Sequence, residues 1–345
     1  MLKNDIMIYV KTTETCNLNC DHCFTSGTRG AKIYFNPNKV ARWVNELKKQ
    51  NPQLSGHFEF HGGEPFLAPV EDMERFYELT QEYWNGDATY GITSNLVIKL
   101  TEKRLAFLDE VCNKRMGTSW DPTIRFDNEK QRALFESNVK LLLDRGYTIK
   151  LFVSLTNDTI EMGPAKLMHY VKSLGVQEMA LERITHDGNA TLNPVFPTNL
   201  ALQQYFLDMH KFIKDNDARD WFDNEFMENV YSKFESGYTG AGTFCRDCEQ
   251  KLFTINGDGS IAGCPNSAPT SAFGHIDDDP SVVINAPKRC EVIMSELSRD
   301  PRCYDCKVYK YCGGDCHQLA WEGDICGAPR FLMKELNEEY NGNIN

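Results

Sequence analysis

Thr15-Cys16-Asn17-Leu18-Asn19-Cys20-Asp21-His22-Cys23-Phe24 sets three cysteines at C-x3-C-x2-C spacing, directly after the apolar run Ile6-Met7-Ile8-Tyr9-Val10. That run, continued to Lys11, reads as a strand, so the cysteines ride the loop that follows it. Thiolates are soft ligands that favour zinc, copper(I) or iron–sulfur clusters. A structural zinc wants a closed shell of four protein ligands. Three cysteines on one short loop suit a four-iron, four-sulfur (4Fe–4S) cluster with one iron left open. On these residues alone the cluster is favoured over zinc, and zinc stays open.

Working outward, strand-like and helix-like stretches alternate. Strands are expected at 6–11, 56–61, 88–94, 114–120, 147–154 and 176–184, and helices at 38–50, 70–84, 101–111, 128–145 and 163–174. Thr101 is placed to cap its helix. Such βα repeats imply parallel strands joined by right-handed crossovers. The alternation fits a doubly wound sheet or a barrel. A helix is expected at 199–214, and the aromatic, acidic stretch 221–234 reads as a helix on the flank or as a wall of a cavity. The glycine-rich 237–242 marks a domain boundary. Beyond it, Asn256-Gly257-Asp258-Gly259 between two short strands is a hairpin signal. So small and cysteine-dense a segment needs staples to hold together.

Composition narrows the class. The chain has 345 residues, 13 cysteines and a formal net charge of -12. No apolar run approaches the roughly 20 residues of a membrane helix, and no signal peptide is visible, so a cytoplasmic location is expected. There, grouped cysteines read as metal or redox sites rather than disulfides. The acidic balance argues against a nucleic-acid partner.

A second motif, His61-Gly62-Gly63-Glu64-Pro65, follows the second strand. Its glycines let the backbone come close to a ligand, and Glu64 can accept a charge-assisted hydrogen bond from an ammonium group. Read without context it is a tight βα turn. With the cysteine loop, it resembles the radical S-adenosylmethionine (SAM) superfamily. That resemblance implies an α/β fold with a partial (β/α)6 TIM barrel, chemistry at the C-terminal ends of the strands, and a 4Fe–4S cluster on Cys16, Cys20 and Cys23. It also implies SAM held by Gly62, Gly63, Glu64 and Pro65, by Ser94 and Asn95 in Thr93-Ser94-Asn95, by Ser119 in Ser119-Trp120-Asp121-Pro122, and by Arg125. Trp120 and Pro122 depart from the family pattern.

The C-terminal array, Cys303-x2-Cys306-x5-Cys312-x3-Cys316-x9-Cys326 with Gly313-Gly314, resembles the SPASM subfamily. The resemblance implies a small cysteine-rich domain with two auxiliary 4Fe–4S clusters, one on Cys245, Cys248, Cys264 and Cys316, the other on Cys303, Cys306, Cys312 and Cys326. Two zinc sites are the plainer alternative. The implied division is a barrel at 1–186, a helical bridge at 187–242 and the SPASM domain at 243–345. Cys112 reads as core, and Cys290 has no assignment. His22 is expected to pack near the cluster or the adenine.

The implied activity is reductive cleavage of SAM to a 5′-deoxyadenosyl radical that takes hydrogen from a peptide or protein substrate, as in ribosomal-peptide maturases. The electron donor would be a flavodoxin or ferredoxin. The first strand starts by residue 6, so a leader peptide would need a separate recognition protein or a direct surface. Formylglycine formation, as in anaerobic sulfatase maturation, is the alternative, weakened because Pro265 and Asn266, not an acid, follow Cys264. A small-molecule or nucleotide substrate is another. A zinc-stabilised binding module would leave the Gly-Gly-Glu-Pro turn unexplained.

Overall fold

The computed structural model describes residues 2–25, 27–185, 188–193, 195–236, 247–266 and 271–342. Six parallel strands carry the fold: β1 (Asp5–Thr13), β2 (Ser55–Gly62), β3 (Ala88–Ile92), β4 (Arg115–Trp120), β5 (Thr148–Leu155) and β6 (Glu178–Arg183). Between them run α1 (Pro37–Gln50), α2 (Val70–Trp84), α3 (Glu102–Glu110), α4 (Glu129–Asp144), α5 (Asn157–Met162) and α6 (Pro164–Leu174). Neighbours in space follow chain order from β1 to β3 and from β4 to β6. A parallel bridge, Thr93 to Gly117, joins the two sets. A doubly wound sheet reverses its order at a switch point. Unbroken sequential order is that of a partial barrel. At the seam Gly117 is required, since a Cβ there would stand 2.6 Å from the Phe152 ring and 2.7 Å from Thr93 Oγ1.

Strand side chains alternate between the two faces of a sheet. Ile6, Ile8 and Val10 of β1 and Phe58 and Phe60 of β2 point outward and are buried under the helices. Phe58 meets Phe76 and Trp84 edge-on at 5.3 and 5.1 Å, and Phe60 meets Phe107 at 5.6 Å. The intervening residues face a lumen and are mostly polar or small, Tyr9, His57, Glu59, Gly91, Ser119, Lys150, Ser154 and Glu182, with Met7 and Phe152 among them. The apolar core therefore lies between sheet and helices, and the barrel interior is left as a chamber.

Thr101 caps α3 as expected, accepting from Arg104 N. The expected helix at 199–214 is α7 (Asn199–Asp215). The aromatic stretch becomes β7 (Asp223–Asn224), which extends the sheet beside β6, and α8 (Glu225–Glu235). Phe226 stacks on Phe206 of α7 at 4.4 Å, so this stretch is flank and not chamber wall. Helix α5, capped by Thr156 and stopped at Gly163, was not anticipated from sequence, and neither were the helices of the C-terminal lobe described below.

The C-terminal lobe begins with α9 (Cys248–Lys251), β8 (Leu252–Ile255), β9 (Ser260–Ala262) and β10 (Gly274–His275). The hairpin signal is met by the antiparallel pair β8–β9. The hairpin is not free-standing, however. Strand β8 pairs in parallel with β1, Met7 opposite Leu252 and Val10 opposite Ile255, so the barrel sheet continues into the lobe. The expected boundary at 237–242 lies outside the described residues. Four helices follow: α10 (Pro280–Ile284), α11 (Pro287–Leu297), α12 (Tyr309–Cys312) and α13 (Arg330–Asn341), the last packed on α7 and α8. Phe253 of β8 is fully buried between Trp43, Phe273 and the Arg289 guanidinium. Phe253→Ala should cost about 3–5 kcal/mol. If lobe and barrel share one core, a urea titration will show a single transition moved to lower denaturant. A barrel transition left in place would mean that the lobe folds separately.

Candidate active site

The chamber has a volume of about 1010 Å³ and reaches from the cysteine loop down the lumen. Cys16, Cys20 and Cys23 all line it. The loop is fixed before any metal is considered. Asn189, from the segment that follows β6, donates its backbone N–H to the Cys23 carbonyl (2.7 Å) and its side-chain amide to the Cys20 carbonyl (3.0 Å). Asn193 donates to the Asp21 carbonyl at 3.3 Å. The far end of the barrel thus clamps the loop that leaves its first strand.

The donor set fits an iron–sulfur cluster. Cys16 Sγ accepts from Leu18 N and from the Asn95 side-chain amide, each at 3.4 Å, contacts that favour an anionic sulfur. Burial pushes the Cys16 thiol up to about 11 and the Cys20 thiol up to about 12. Two such thiolates need a cationic centre to hold them ionised, and binding must expel their protons.

The Gly-Gly-Glu-Pro turn packs against this loop. Gly63 N donates to the Thr13 carbonyl at 2.9 Å and Glu64 N to the Thr15 carbonyl at 3.0 Å. A Cβ on Gly63 would fall on the Thr15 carbonyl, and one on Gly62 (φ 136) on that of Thr13. The close approach that demands glycine is therefore to the cysteine loop itself. Gly62 and Gly63 also line the chamber, whereas Glu64 and Pro65 do not. The expectation that the Glu64 carboxylate receives an ammonium group is corrected by its partners. It is fully buried and accepts from Ser94 Oγ (2.9 Å), Asn95 N (2.8 Å) and Phe66 N (3.1 Å). Burial raises its pKa against those bonds. Glu64 is an internal anchor that ties the end of β2 to the end of β3.

Ser94, Asn95, Ser119 and Arg125 line the chamber as expected. Trp120 is buried on the outer face and stacks on Tyr170 at 4.4 Å, so this departure from the family pattern leaves the chamber untouched. Asp121 is fully buried, and its Oδ1 accepts from Ile124 N (2.8 Å) and Arg125 N (3.1 Å), which shapes the turn carrying Arg125. The Arg125 Nε lies 3.3 Å from Asp121 Oδ2, and its Nη2 donates to His22 Nε2 at 3.2 Å. A guanidinium only donates, so His22 Nε2 is the acceptor and the imidazole proton sits on Nδ1, toward Asp121. Burial, reinforced by Arg125, lowers His22 to about 4, so the ring is neutral at pH 7.

Sequence reasoning missed most of the lumen. Glu59 accepts from Thr93 Oγ1 at 2.6 Å and meets His57 Nε2 at 3.0 Å, while His57 Nδ1 meets Thr89 Oγ1 at 2.8 Å. Glu182 faces the chamber from β6. The signal available was the polar residue at every second position of otherwise apolar strands, as in His57, Glu59 and His61.

In the lobe, Cys303, Cys306, Cys312, Cys316 and Cys326 line one pocket of about 300 Å³. Cys248, Cys264 and Cys316 line another of about 70 Å³, which Glu182 and Arg183 share with the main chamber. Cys316 touches both. Cys245 lies outside the described residues. Cys248 is disulfide-bonded here, so it offers a thiolate only after reduction. Among the described residues no three metal-ligating side chains converge on a single ion. A four-iron cluster gives each thiolate its own iron and so takes ligands standing farther apart. Cys112 is buried core as expected, and Cys290 is exposed.

Burial, with repulsion from Glu225, pushes Glu182 up from 4.5 to about 7. A carboxyl whose folded pKa is raised stabilises the fold below its unfolded pKa and loses that contribution as pH rises through the folded value. Metal-free protein should therefore lose up to about 3 kcal/mol from this group between pH 4.5 and 7. Urea midpoints across that range will show it as a slope that Glu182→Gln flattens. An equal slope in the variant would place the titration elsewhere.

Residues 10–122 match the sequence pattern described as the Radical SAM superfamily. The cysteine-type anaerobic sulfatase-maturating enzyme of Clostridium perfringens is 24% identical over 329 residues, spanning 88% of this chain and 86% of its own length. The solved structure of native anSMEcpe with bound AdoMet matches with a TM-score of 0.78 and 18% identity, covering 97% of this chain and 96% of that one. SuiB of Streptococcus suis, bound to S-adenosylmethionine, matches with a TM-score of 0.65 and 15% identity, over 91% and 73%. At such identities the structural likenesses establish the fold.

Proposed function

The chain carries a radical SAM domain and is a radical SAM enzyme, and on that premise we propose that it modifies a peptide or protein by hydrogen abstraction. The observation that carries the proposal is the chamber: three cysteines at one end, a lumen of mixed polar and apolar side chains, and room beyond them for a second molecule. Cys16, Cys20 and Cys23 would hold the 4Fe–4S cluster, and SAM would bind beside it in the chamber. With both bound, the site supplies a 5′-deoxyadenosyl radical able to take hydrogen from carbon.

The chain's own residues bind and orient. The Gly62–Gly63 backbone, held against the cysteine loop by Glu64, presents its free polar groups to the methionine end of SAM. Asn95 reaches Cys16, and Ser119 and Arg125 offer donors to the carboxylate or ribose. Arg125 is already paired with Asp121, so it contributes oriented N–H groups more than net charge. The reduced lobe would hold auxiliary clusters on Cys245, Cys248, Cys264 and Cys316 and on Cys303, Cys306, Cys312 and Cys326. A SPASM lobe over residues 243–345 fits this arrangement. Such clusters supply redox capacity next to the chamber.

A peptide substrate is supported by two related structures, one holding a Cp18Cys peptide and the other the precursor peptide SuiA. An oxidation or cross-link on a precursor peptide is the first reading, with a flavodoxin or ferredoxin as donor and a separate protein or a direct surface for any leader. Formylglycine formation is the second, favoured by the sulfatase-maturating relative along most of the chain. Mass spectrometry separates them, since formylglycine made from cysteine loses the sulfur and a cross-link loses only hydrogen. No described helix is long and apolar enough to cross a membrane; a cytoplasmic location belongs to the proposal.

The test is iron and sulfide content of anaerobically purified protein with a 5′-deoxyadenosine assay. About twelve irons per chain are expected from three four-iron clusters. Replacing Cys16, Cys20 and Cys23 with Ala should leave about eight and abolish deoxyadenosine. Deoxyadenosine at the native rate in that variant would overturn the site assignment, and zinc without iron would overturn the reaction class.

A further inference from the structure

The end of β6 meets the cysteine lobe through one buried ion pair. The Arg183 guanidinium clasps the Asp315 carboxylate with both Nη atoms; Nη2 lies 3.2 Å from Oδ1, and Nη1 donates to Oδ2 and also to the Gly327 carbonyl at 2.9 Å. Both side chains are almost wholly buried, at 5% and 4% exposure. The ring of Phe226 lies under the guanidinium, 5.7 Å away. The bond joins residues 132 positions apart and places Asp315 between Cys312 and Cys316 in sequence.

The backbone is bent to make this contact. Gly313, Gly314 and Asp315 have consecutive positive φ values of 64, 93 and 54. Asp315 is the member that would more comfortably be glycine, and its carboxylate is what the bend delivers to Arg183.

The two charges face different cysteine pockets. Arg183 lines the pocket of Cys248, Cys264 and Cys316, and Asp315 lines the pocket of Cys303, Cys306, Cys312 and Cys326. Among the described residues Arg183 is the one arginine or lysine that lines the first pocket, and Asp315 is one of two carboxylates, with Asp300, that line the second. Glu182 and Glu249 line the first pocket beside Arg183, while Arg299 and Arg330 line the second beside Asp315. A cation beside a cluster stabilises the reduced form and raises its potential, and an anion lowers it.

We propose that the Arg183–Asp315 pair is the partition that sets the potentials of two auxiliary clusters against each other, Arg183 raising the one beside the chamber and Asp315 lowering the one behind it. This rests on the iron–sulfur reading of the lobe given above. Arg183 and Asp315 are positioning residues, acting on the clusters through charge and not by ligation. The arrangement favours electron uptake at the pocket that opens toward the substrate.

The experiment is a spectroelectrochemical titration, followed by electron paramagnetic resonance, of reconstituted protein in the Cys16, Cys20 and Cys23→Ala background, where only auxiliary clusters remain. Arg183→Met should move one midpoint to more negative potential. Asp315→Asn, which keeps the shape and the tolerance of positive φ, should move the other to more positive potential. The double variant removes both members of the pair together and should show both shifts, so it carries the test if Arg183→Met loads poorly. Midpoints that stay fixed, or that move in the same sense in both single variants, would overturn the proposal. Loss of auxiliary iron in the double variant would show the pair to be a fold element only. A background protein without iron at all would instead refute the cluster reading on which the proposal stands.

Discussion

The site depends on one ladder of parallel hydrogen bonds, β8–β1–β2. Strand β1 is paired on both sides, with β2 through Asp5 to Thr13 and with β8 through Met7 to Val10. Parallel neighbours end at the same end of a sheet, so the loops after them are forced side by side. The cysteine loop leaves β1, and the Gly-Gly-Glu-Pro turn leaves β2. The hairpin turn leaves β8, where Gly257 N donates to Glu14 Oε1 at 2.9 Å. A one-residue slip in this ladder would invert the alternation that puts Phe58 and Phe60 outside and His57 and Glu59 inside.

Given that ladder, Glu64 sets the remaining geometry. A buried carboxylate without partners is costly, and three donors from two chain segments offset that cost. Two of the donors belong to Ser94 and Asn95, and the Asn95 amide goes on to Cys16. The anchor therefore acts on the cysteine loop at one remove. It fixes the residue that donates to the sulfur, while its own oxygens stay out of the chamber.

Local features were legible in the sequence, and long-range ones were not. The strand at 6–11, the cap at Thr101 and the amphipathic helix from Asn199 are dictated by neighbours a few residues apart, and each stands where periodicity puts it. The docking of β8 on β1 joins residues about 245 positions apart, and no local pattern encodes it. The same holds for Glu64, whose type was read as an acceptor but two of whose three donors lie 30 and 31 positions away. The short helix α5 was lost because its six residues are too few to show a helical period. The grouping of Cys16, Cys20 and Cys23 on one short loop was legible by spacing; the division of the C-terminal cysteines between two pockets was not, because it depends on tertiary packing.

The clamp on the cysteine loop bears on how metal binding and folding are linked. Small metal domains often remain unfolded until the metal arrives. Here the loop backbone is held by Asn189, Asn193 and the Gly62–Gly63 turn, and Leu18 is buried beneath it. None of these contacts involves a sulfur. The loop is thus set by protein contacts, while the Cys16 and Cys20 thiols, raised by burial, remain protonated at neutral pH in metal-free protein. Cluster insertion at this end of the barrel is then mainly a matter of exchanging protons for iron. In the lobe the balance differs. Its cysteine segments are anchored by buried Val308, Tyr311 and Ala328, by the ion pair to β6 and by the pairing with β1, holding that a cluster would otherwise have to supply.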